Sequence, residues 1–197
     1  LEYAALIKND GSEADDLAFK RHEREYVNHL LCEQPNGHFG DTIIRQFLFD
    51  SFYILFLTEL TKSSDEQLVA IASKSVKEVD YHLRHSSKWV IRLGDGTSES
   101  NMKIQASINR LWMYTEEFFM MDEIDEQMKK EKVGVNRKEL KLIWLKNIKN
   151  IFREAKLDIP TETNMISGGK KGLHTEHLGH LLSDMQYLQR AFPDAKW

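Results

Sequence analysis

The sequence predicts an all-α fold of long antiparallel helices joined by short turns. The chain has 197 residues but only 3 prolines and 10 glycines, so it holds little turn material for many short strands. Apolar residues recur at three- and four-residue intervals over long stretches, which is the period of an amphipathic helix. An apolar fraction of 41% and a charged fraction of 29% indicate a packed core and argue against a disordered chain.

The N-terminal region predicts two short helical elements. Leu1–Lys8 has helical composition but no capping residue, and the turn sequence at 9–11 ends it. Residues 1–9 are therefore interpreted as the end of a truncated helix. The dense mixed charge of Asp15–Cys32 predicts a short surface helix.

Two long helices are expected next. Asp41–Lys62 is apolar on nearly all sides, which predicts a helix buried on most of its surface. A third helix is expected to begin with a capping box at Ser63 or Ser64 and to run to Leu93. Its inward stripe is predicted to include Leu68, Ile71, Ser75, Glu78, His82 and Trp89.

Three further helices complete the predicted fold. A fourth helix is expected over about Ser98–Lys132 and a fifth over about Arg137–Lys156, where apolar residues again fall at helical intervals. Residues 158–172 are interpreted as a loop, followed by a last helix from Leu173 to about Ala191. The inward residues of the fourth helix are predicted to be Ile104, Ile108, Leu111, Trp112, Phe118 and Phe119. We expect one helical domain over residues 1–197.

Charge and cysteine content exclude several classes of protein. Lys plus Arg number 27 against 31 Asp plus Glu, and the net charge of −4 argues against a chain dominated by nucleic-acid binding. The most apolar run, Ile43–Leu57, is about fifteen residues long, whereas a membrane span needs about twenty. The single cysteine, Cys32, forms no internal disulfide and indicates a reducing compartment, so we predict a cytoplasmic protein.

Asp50 and Glu78 are the candidate site residues that spacing singles out. Each carboxylate lies in an apolar helical stripe, about fourteen residues from the turn between two helices, so the two are expected to be level, with His82 one turn from Glu78. Paired carboxylates on neighbouring helices are typical of carboxylate-bridged di-metal sites. No histidine has Glu or Asp three residues before it, however, and Tyr81 stands at that motif position. The residues alone favour a structural polar cluster over a working metal site, with a partner contact left open.

Two basic groups are candidates for an anion or partner contact. Lys170 and Lys171 lie in the glycine-rich segment Gly168–Gly172, which lacks the spacing of a P-loop and is otherwise interpreted as a solvated loop. Lys141 and Arg153 belong to a helix of local charge +5, for which a solvated face is the alternative.

Three histidines, His174, His177 and His180, recur at three-residue intervals near the C-terminus. Successive members drift about 60° around a helix, so only neighbouring pairs share a face. They are interpreted as surface or interface residues instead of a metal site.

Several long strings of the sequence resemble a known family. They are DDLAFKRHEREYVNHLLCEQPNGHFGDTIIRQFLFD (15–50), KEVDYHLRHSSKWVIRLGDGTSES (77–100), GLHTEHLGHLL (172–182) and MQYLQRAFP (185–193). Together they are similar to the C subunits (PaaC) of the bacterial phenylacetyl-CoA ring 1,2-epoxidases, which are multicomponent monooxygenases of aerobic phenylacetate breakdown. The resemblance covers essentially the whole chain.

The resemblance implies a ferritin-like helical bundle and a division of labour between subunits. In that family the catalytic A subunit holds the di-iron site, binds phenylacetyl-CoA and performs the O₂ chemistry, and a reductase subunit supplies electrons from NADPH. The C subunit is implied to be a structural, non-catalytic partner of the A subunit without a cofactor of its own, in a complex that also contains a B subunit. Family members extend further at the N-terminus, so N-terminal helices are expected to be missing from this chain.

The resemblance also implies roles for the candidate site residues. Asp50 and Glu78 match the two carboxylate positions of the metal site, Tyr81 stands where catalytic relatives have a histidine, and His82 is its neighbour. These four positions are implied to be vestigial, with no catalytic residue in the chain. A self-sufficient di-metal carboxylate oxidase, or an iron-binding ferritin-like protein, is the alternative hypothesis.

Overall fold

The computed structural model describes residues 1–161, 164–193 and 195. That part of the chain is helical and contains no strand, which confirms the predicted all-α class and is consistent with a ferritin-like bundle. The chain divides into two compact units, unit 1 (Leu1–Gln34 and Gly168–Trp197) and unit 2 (Pro35–Ser167). The expectation of one domain over residues 1–197 stays a prediction.

The described residues form seven α-helices. They are α1 (Glu2–Lys8), α2 (Phe39–Leu60), α3 (Glu66–Gly94), α4 (Ser98–Leu111), α5 (Glu123–Lys130), α6 (Arg137–Glu154) and α7 (Glu176–Ala191). Helices α1 and α6 confirm the elements predicted at 1–8 and 137–156.

Helix α2 is the central helix of unit 2. It lies antiparallel to α3: the ring of Phe39, near the start of α2, contacts the ring of Trp89, near the end of α3, at a centroid distance of 5.0 Å. Helix α2 also packs against α4 and α6. Phe52 is buried and stacks on Phe118 at a centroid distance of 4.8 Å. These contacts confirm the buried helix predicted at 41–62. No helix within the described ranges is long and apolar enough to cross a membrane.

The buried face of α3 differs from the prediction. Ala72, Val79 and Ser86 are buried at seven-residue steps, and Gly94 is buried at the end of the helix. A Cβ on Gly94 would lie 2.3 Å from the carbonyl oxygen of Ala155, so this glycine permits the close approach of the segment after α6. The predicted stripe is half-buried or exposed instead: Leu68, Ile71, Ser75, Glu78, His82 and Trp89. The prediction is wrong because the larger apolar side chains were taken as the inward stripe, whereas the face that packs consists of the small or short residues Ala72, Val79, Ser86, Val90 and Gly94.

The helix predicted over 98–132 is interrupted. Helix α4 ends at Leu111 and α5 begins at Glu123, and the residues between them contain two 3₁₀ turns. Asp122 starts the new helix by accepting a hydrogen bond from the backbone N–H of Asp125 (2.9 Å), which is an N-cap contact. The six side chains predicted to face inward are nevertheless buried: Ile104, Ile108, Leu111, Trp112, Phe118 and Phe119.

The start of α3 also differs from the prediction. Asp65 is the N-cap, and its Oδ1 accepts from the backbone N–H of Leu68 at 2.9 Å. Ser63 and Ser64, the predicted caps, instead donate their hydroxyls to backbone carbonyls of the segment 131–133. A tertiary contact within unit 2 thus takes the hydroxyls that a local capping box would use.

Unit 1 combines short N-terminal turns with α7. Asp16–Lys20 forms a π-helical turn, Glu23–Glu25 and Leu30–Glu33 form 3₁₀ turns, and all three contact α7. The surface helix predicted over 15–32 is therefore wrong. Its last residues include Leu31, which is completely buried, so this end of the segment is not a surface element.

The segment before α7 is more ordered than a plain loop. Within the loop predicted at 158–172, Gly169–Lys171 forms a 3₁₀ turn. The backbone N–H of Leu173 donates to the carbonyl of Gly168 (3.1 Å) and closes this turn. Helix α7 therefore begins at Glu176 and not at Leu173.

Candidate functional site

Asp50 is the buried carboxylate of unit 2 that sequence reasoning singled out. It lies on α2, and only 2% of its surface is exposed. Gln46, one helical turn earlier, donates Nε2–H to Asp50 Oδ1 at 2.7 Å, and the hydroxyl of Ser86 on α3 lies 3.3 Å from Oδ2. Both carboxylate oxygens are thus held by uncharged hydrogen-bond donors.

The surroundings of Asp50 favour its protonated form. Burial raises the pKa of the Asp50 carboxyl above its ordinary value of 3.8, because a charge in a poorly solvated position is unfavourable. The hydrogen bonds from Gln46 and Ser86 and the charge of His82 act in the opposite direction without cancelling the effect of burial. A pKa that is raised by burial and partly lowered again by uncharged hydrogen-bond donors is expected for a carboxyl in a polar cluster of the core.

Glu78, Tyr81 and His82 lie on exposed positions of α3. Tyr81 is 62% exposed, and its ring lies against that of His82 at a centroid distance of 6.0 Å. The expected pairing of Asp50 with Glu78 is wrong: Asp50 is level with Ser86, which follows Glu78 by two helical turns, or about 12 Å along the axis. That these positions are vestiges of a metal site stays a prediction.

The residues around Asp50 do not fit a carboxylate-bridged metal centre. Such a centre needs several carboxylates and imidazoles converging on one point. Gln46 and Ser86 occupy the carboxylate of Asp50 instead, and no group of three or more His, Cys, Asp or Glu side chains suited to a metal occurs in the described part of the chain. Ser86 was missed at the sequence level because it lies with Ala72 and Val79 on a face of α3 that differs from the predicted stripe.

Asp41 is a second buried aspartate that sequence reasoning did not single out. It lies in the first turn of α2, where it accepts from the backbone N–H of His38 (3.0 Å), from Ser107 Oγ on α4 (2.5 Å) and from the guanidinium of Arg110. Burial raises the pKa of the Asp41 carboxyl, but these hydrogen bonds and the Arg110 charge outweigh it, so the pKa lies below its ordinary value. Asp41 therefore connects α2 to α4 as an ionised group.

The two basic residues of α6 have different surroundings. Lys141 Nζ lies 2.6 and 2.7 Å from the two carboxylate oxygens of Glu116, so its charge is neutralised within unit 2. Arg153 is exposed and donates to the neutral side chain of Asn150 at 3.2 Å. A contact of either residue with an anion or a partner stays a prediction.

Lys170 and Lys171 belong to the 3₁₀ turn of unit 1 and lie outside α7. The next residue, Gly172, has φ +68, and a Cβ there would lie 2.4 Å from the carbonyl oxygen of Arg24. This glycine is therefore required by packing within unit 1, whatever the two lysines contact. Their predicted role in anion or partner binding is untested.

The three C-terminal histidines do not share one environment. His180 is exposed on α7 and His177 is half-buried. His174 precedes the helix, and its side chain is only 1% exposed because it lies against Glu33. The interpretation as surface residues is therefore wrong for His174.

A small cleft of about 260 Å³ opens between α2, α3 and α6. Its apolar wall consists of Phe47, Leu83 and Ile151, and its polar groups are Ser51, Ser87 and two asparagines of α6. Among the described residues that line it, none is ionisable. The cleft therefore has no side chain for general acid or base catalysis.

Comparisons with known proteins agree with the family resemblance of the strings noted in the sequence. A family model described as "Phenylacetic acid catabolic protein" matches residues 1–197. The chain is 48% identical over 197 residues to the C subunit of the 1,2-phenylacetyl-CoA epoxidase of Escherichia coli (strain K12). That match covers 100% of this chain and 79% of the relative.

Proposed function

The chain belongs to the phenylacetic acid catabolic protein family, as its sequence strings indicated, and we propose that it is a structural, non-catalytic subunit of a phenylacetyl-CoA 1,2-epoxidase. The relative of 48% identity is named as one subunit of an enzyme, which implies an assembly of several chains for that protein. The proposed role of this chain is to support a partner that performs the oxygen chemistry in phenylacetate catabolism.

One observation carries the non-catalytic part of the proposal. The carboxylate of Asp50, which the family resemblance matches to a metal-ligand position, is held by Gln46 and Ser86. An amide and a hydroxyl that hydrogen-bond a carboxylate satisfy a buried polar group, whereas a di-metal centre requires the carboxylate to face the metal. The polar cluster therefore supports a structural role for this contact between α2 and α3.

The proposed partners follow from the family. The chain pairs with a di-iron A subunit that holds most of the phenylacetyl-CoA, in a complex with B and reductase subunits, and it works in the cytoplasm. Basic side chains are the candidates for contact with the partner or with the phosphates of the substrate: Arg153, Lys170, Lys171 and Lys141. The exposed Arg153 ranks before Lys141, because Glu116 already neutralises Lys141.

Metal analysis of the assembled complex tests the non-catalytic role. We expect that Asp50→Asn in this chain changes neither the iron content of the complex with the A subunit nor its rate of substrate epoxidation by more than about twofold. The reason is that the substitution removes no contact with the transition state. The matched control is the equivalent carboxylate-to-amide change in the A subunit, which should abolish both. A lower iron content in the complex that contains the Asp50→Asn chain would contradict the proposal.

The alternative hypothesis of a self-sufficient oxidase makes a separate prediction for the isolated chain. With ferrous iron and O₂ supplied, a purely structural chain takes up no oxygen beyond the rate of iron alone. Oxygen consumption that Asp50→Asn abolishes would favour the oxidase.

A further inference from the structure

Glu33 and His174 form a buried ionisable pair in unit 1. Each side chain is only 1% exposed, and Nδ1 of His174 lies 2.6 Å from Oε1 of Glu33. Glu33 belongs to the 3₁₀ turn Leu30–Glu33, and His174 precedes the first turn of α7. The pair therefore connects the N-terminal segment to the start of the last helix.

Glu33 is surrounded by donors. Its Oε2 accepts from the backbone N–H and from the hydroxyl of Thr175, both at 2.8 Å, and its Oε1 accepts from the side-chain amide of Asn28 at 2.8 Å. With His174, four groups converge on its two oxygens, which is the full acceptor capacity of an ionised carboxylate. A proton on either oxygen of Glu33 would displace one of these four contacts.

His174 faces an acceptor on both sides of its ring. Nδ1 contacts the carboxylate of Glu33, and Nε2 lies 3.0 Å from the backbone carbonyl of Tyr26. A neutral imidazole carries only one N–H, so it would leave one lone pair against an oxygen lone pair. An imidazolium donates to both acceptors at once.

We propose that His174 is a buried imidazolium and that its second proton holds the segment 26–33 on the start of α7. Without that proton, a carboxylate and a bare ring nitrogen would lie 2.6 Å apart in a site shielded from water, and they would separate. Separation removes Glu33 from Thr175, the N-cap residue of α7. Unit 1 thereby acquires a pH-dependent contact that does not depend on the function proposed above.

Other ionisable groups occur on the elements around this pair. Helix α7 carries Glu176 and His177 next to it, and the turn at 23–25 carries Glu23, Arg24 and Glu25. Among the described residues, the hydrogen bonds and ion pairs of Glu33 and His174 involve none of these side chains. The other hydrogen-bond partners of the pair are therefore the uncharged groups Thr175, Asn28 and the Tyr26 carbonyl.

The direction of the pH effect follows from proton counting. An unfolded histidine loses its proton near about pH 6.5, whereas the folded state proposed here retains it. The folded state thus binds more protons than the unfolded state above that pH, and unit 1 loses stability as the pH rises.

Direct observation of the ring tests the charge state. In the full chain labelled with ¹⁵N-histidine, NMR at neutral pH should show both ring nitrogens of His174 protonated, with the exposed His180 as the internal reference for the ring signals. An unprotonated ring nitrogen on His174 in the folded protein overturns the proposal.

Hydrogen exchange tests the consequence for α7. The protection of its amides should fall by up to about tenfold for each pH unit above the histidine titration, since one bound proton is linked to the contact. His174→Gln should abolish this dependence, and His180→Gln on the exposed face should retain it. An unchanged dependence in His174→Gln would refute the proposal, and if that variant does not fold, the NMR measurement on the wild-type chain decides.

Discussion

Replacing Asp50 with asparagine is expected to stabilise unit 2 at neutral pH. Burial raises the pKa of Asp50, so the ionised carboxylate is less favourable in the folded state than in the unfolded chain. Asparagine retains an oxygen that accepts from Gln46 and gains an N–H that donates to the hydroxyl of Ser86. The substitution therefore keeps both contacts and removes a buried charge.

The expected gain depends on pH in a defined direction. In the folded state the pKa of Asp50 lies above the ordinary value of 3.8, which applies to the unfolded chain. At a pH between the unfolded and the folded pKa, the folded protein holds a proton that the unfolded chain has lost. Wild-type stability then falls as the pH rises through this window, whereas Asp50→Asn does not titrate. The increase in the free energy of unfolding from Asp50→Asn is therefore absent below this pH window and complete above it. It amounts to about 1 kcal/mol, because two hydrogen bonds already offset part of the cost of burying the charge.

Asp41→Asn is the matched control, with the opposite sign. Its folded pKa is lowered, because hydrogen bonds from Ser107 and His38 and the Arg110 charge outweigh burial. Its stabilisation is present above 3.8 and is lost as the pH falls through the lower folded value. Asp41→Asn should cost about 2 kcal/mol at neutral pH, since it weakens charge-assisted hydrogen bonds and leaves a donor facing Arg110.

Urea unfolding followed by circular dichroism from about pH 4 to about pH 8 measures both variants. The expected result is a stability difference between Asp50→Asn and wild type that grows with pH, beside a large deficit for Asp41→Asn at neutral pH. Two outcomes would refute the reasoning. One is a loss for Asp50→Asn at the alkaline end as large as that for Asp41→Asn, and the other is an Asp50→Asn gain that is the same at both ends.

Three further substitutions test packing and charge in unit 2, each by its free energy of unfolding in urea. Gly94→Ala should cost about 1–3 kcal/mol, because the new Cβ would lie 2.3 Å from the carbonyl of Ala155, and unchanged stability would show that α3 shifts freely. Trp144→Phe should cost about 2 kcal/mol, because it removes buried ring area and the indole hydrogen bond to the carbonyl of Leu48 (3.3 Å), and a cost below that of a surface change would contradict this. Lys141→Gln should cost less than about 1 kcal/mol, because its ion pair is more than one-third exposed, and a larger loss that salt does not reduce would argue against simple surface pairing.

The parts of the fold that could be predicted are those in which local pattern and tertiary packing agree. Helix α2 is apolar on most sides and α6 has a regular apolar period, so both were located from sequence. The helix predicted over 98–132 was wrong because the segment has no proline or glycine that would end a helix before residue 132. The break depends on the burial of Phe118 and Phe119 and on the cap at Asp122, which local propensity does not reveal.

Sequence reasoning identified one residue of the candidate site, Asp50, but not its partner on α3. A lone carboxylate in an apolar stripe correctly indicated that Asp50 is buried. Its partner was missed, because the level at which α3 meets α2 is set by packing and not by an equal count of residues from the turn. Likewise, the pairing of Glu33 with His174 joins positions 141 residues apart, and no local pattern connects them.

The seven-residue spacing of Ala72, Val79 and Ser86 limits how the length of α3 can change. A contact that recurs every seven residues stays on one side of a helix when the helix winds around its neighbour in a left-handed supercoil. Insertion or deletion of one residue within this stretch would rotate all that follows by about 100°. The hydroxyl that meets Asp50 would then leave the contact, so α3 should tolerate many exchanges of its surface residues but hardly any change in their number.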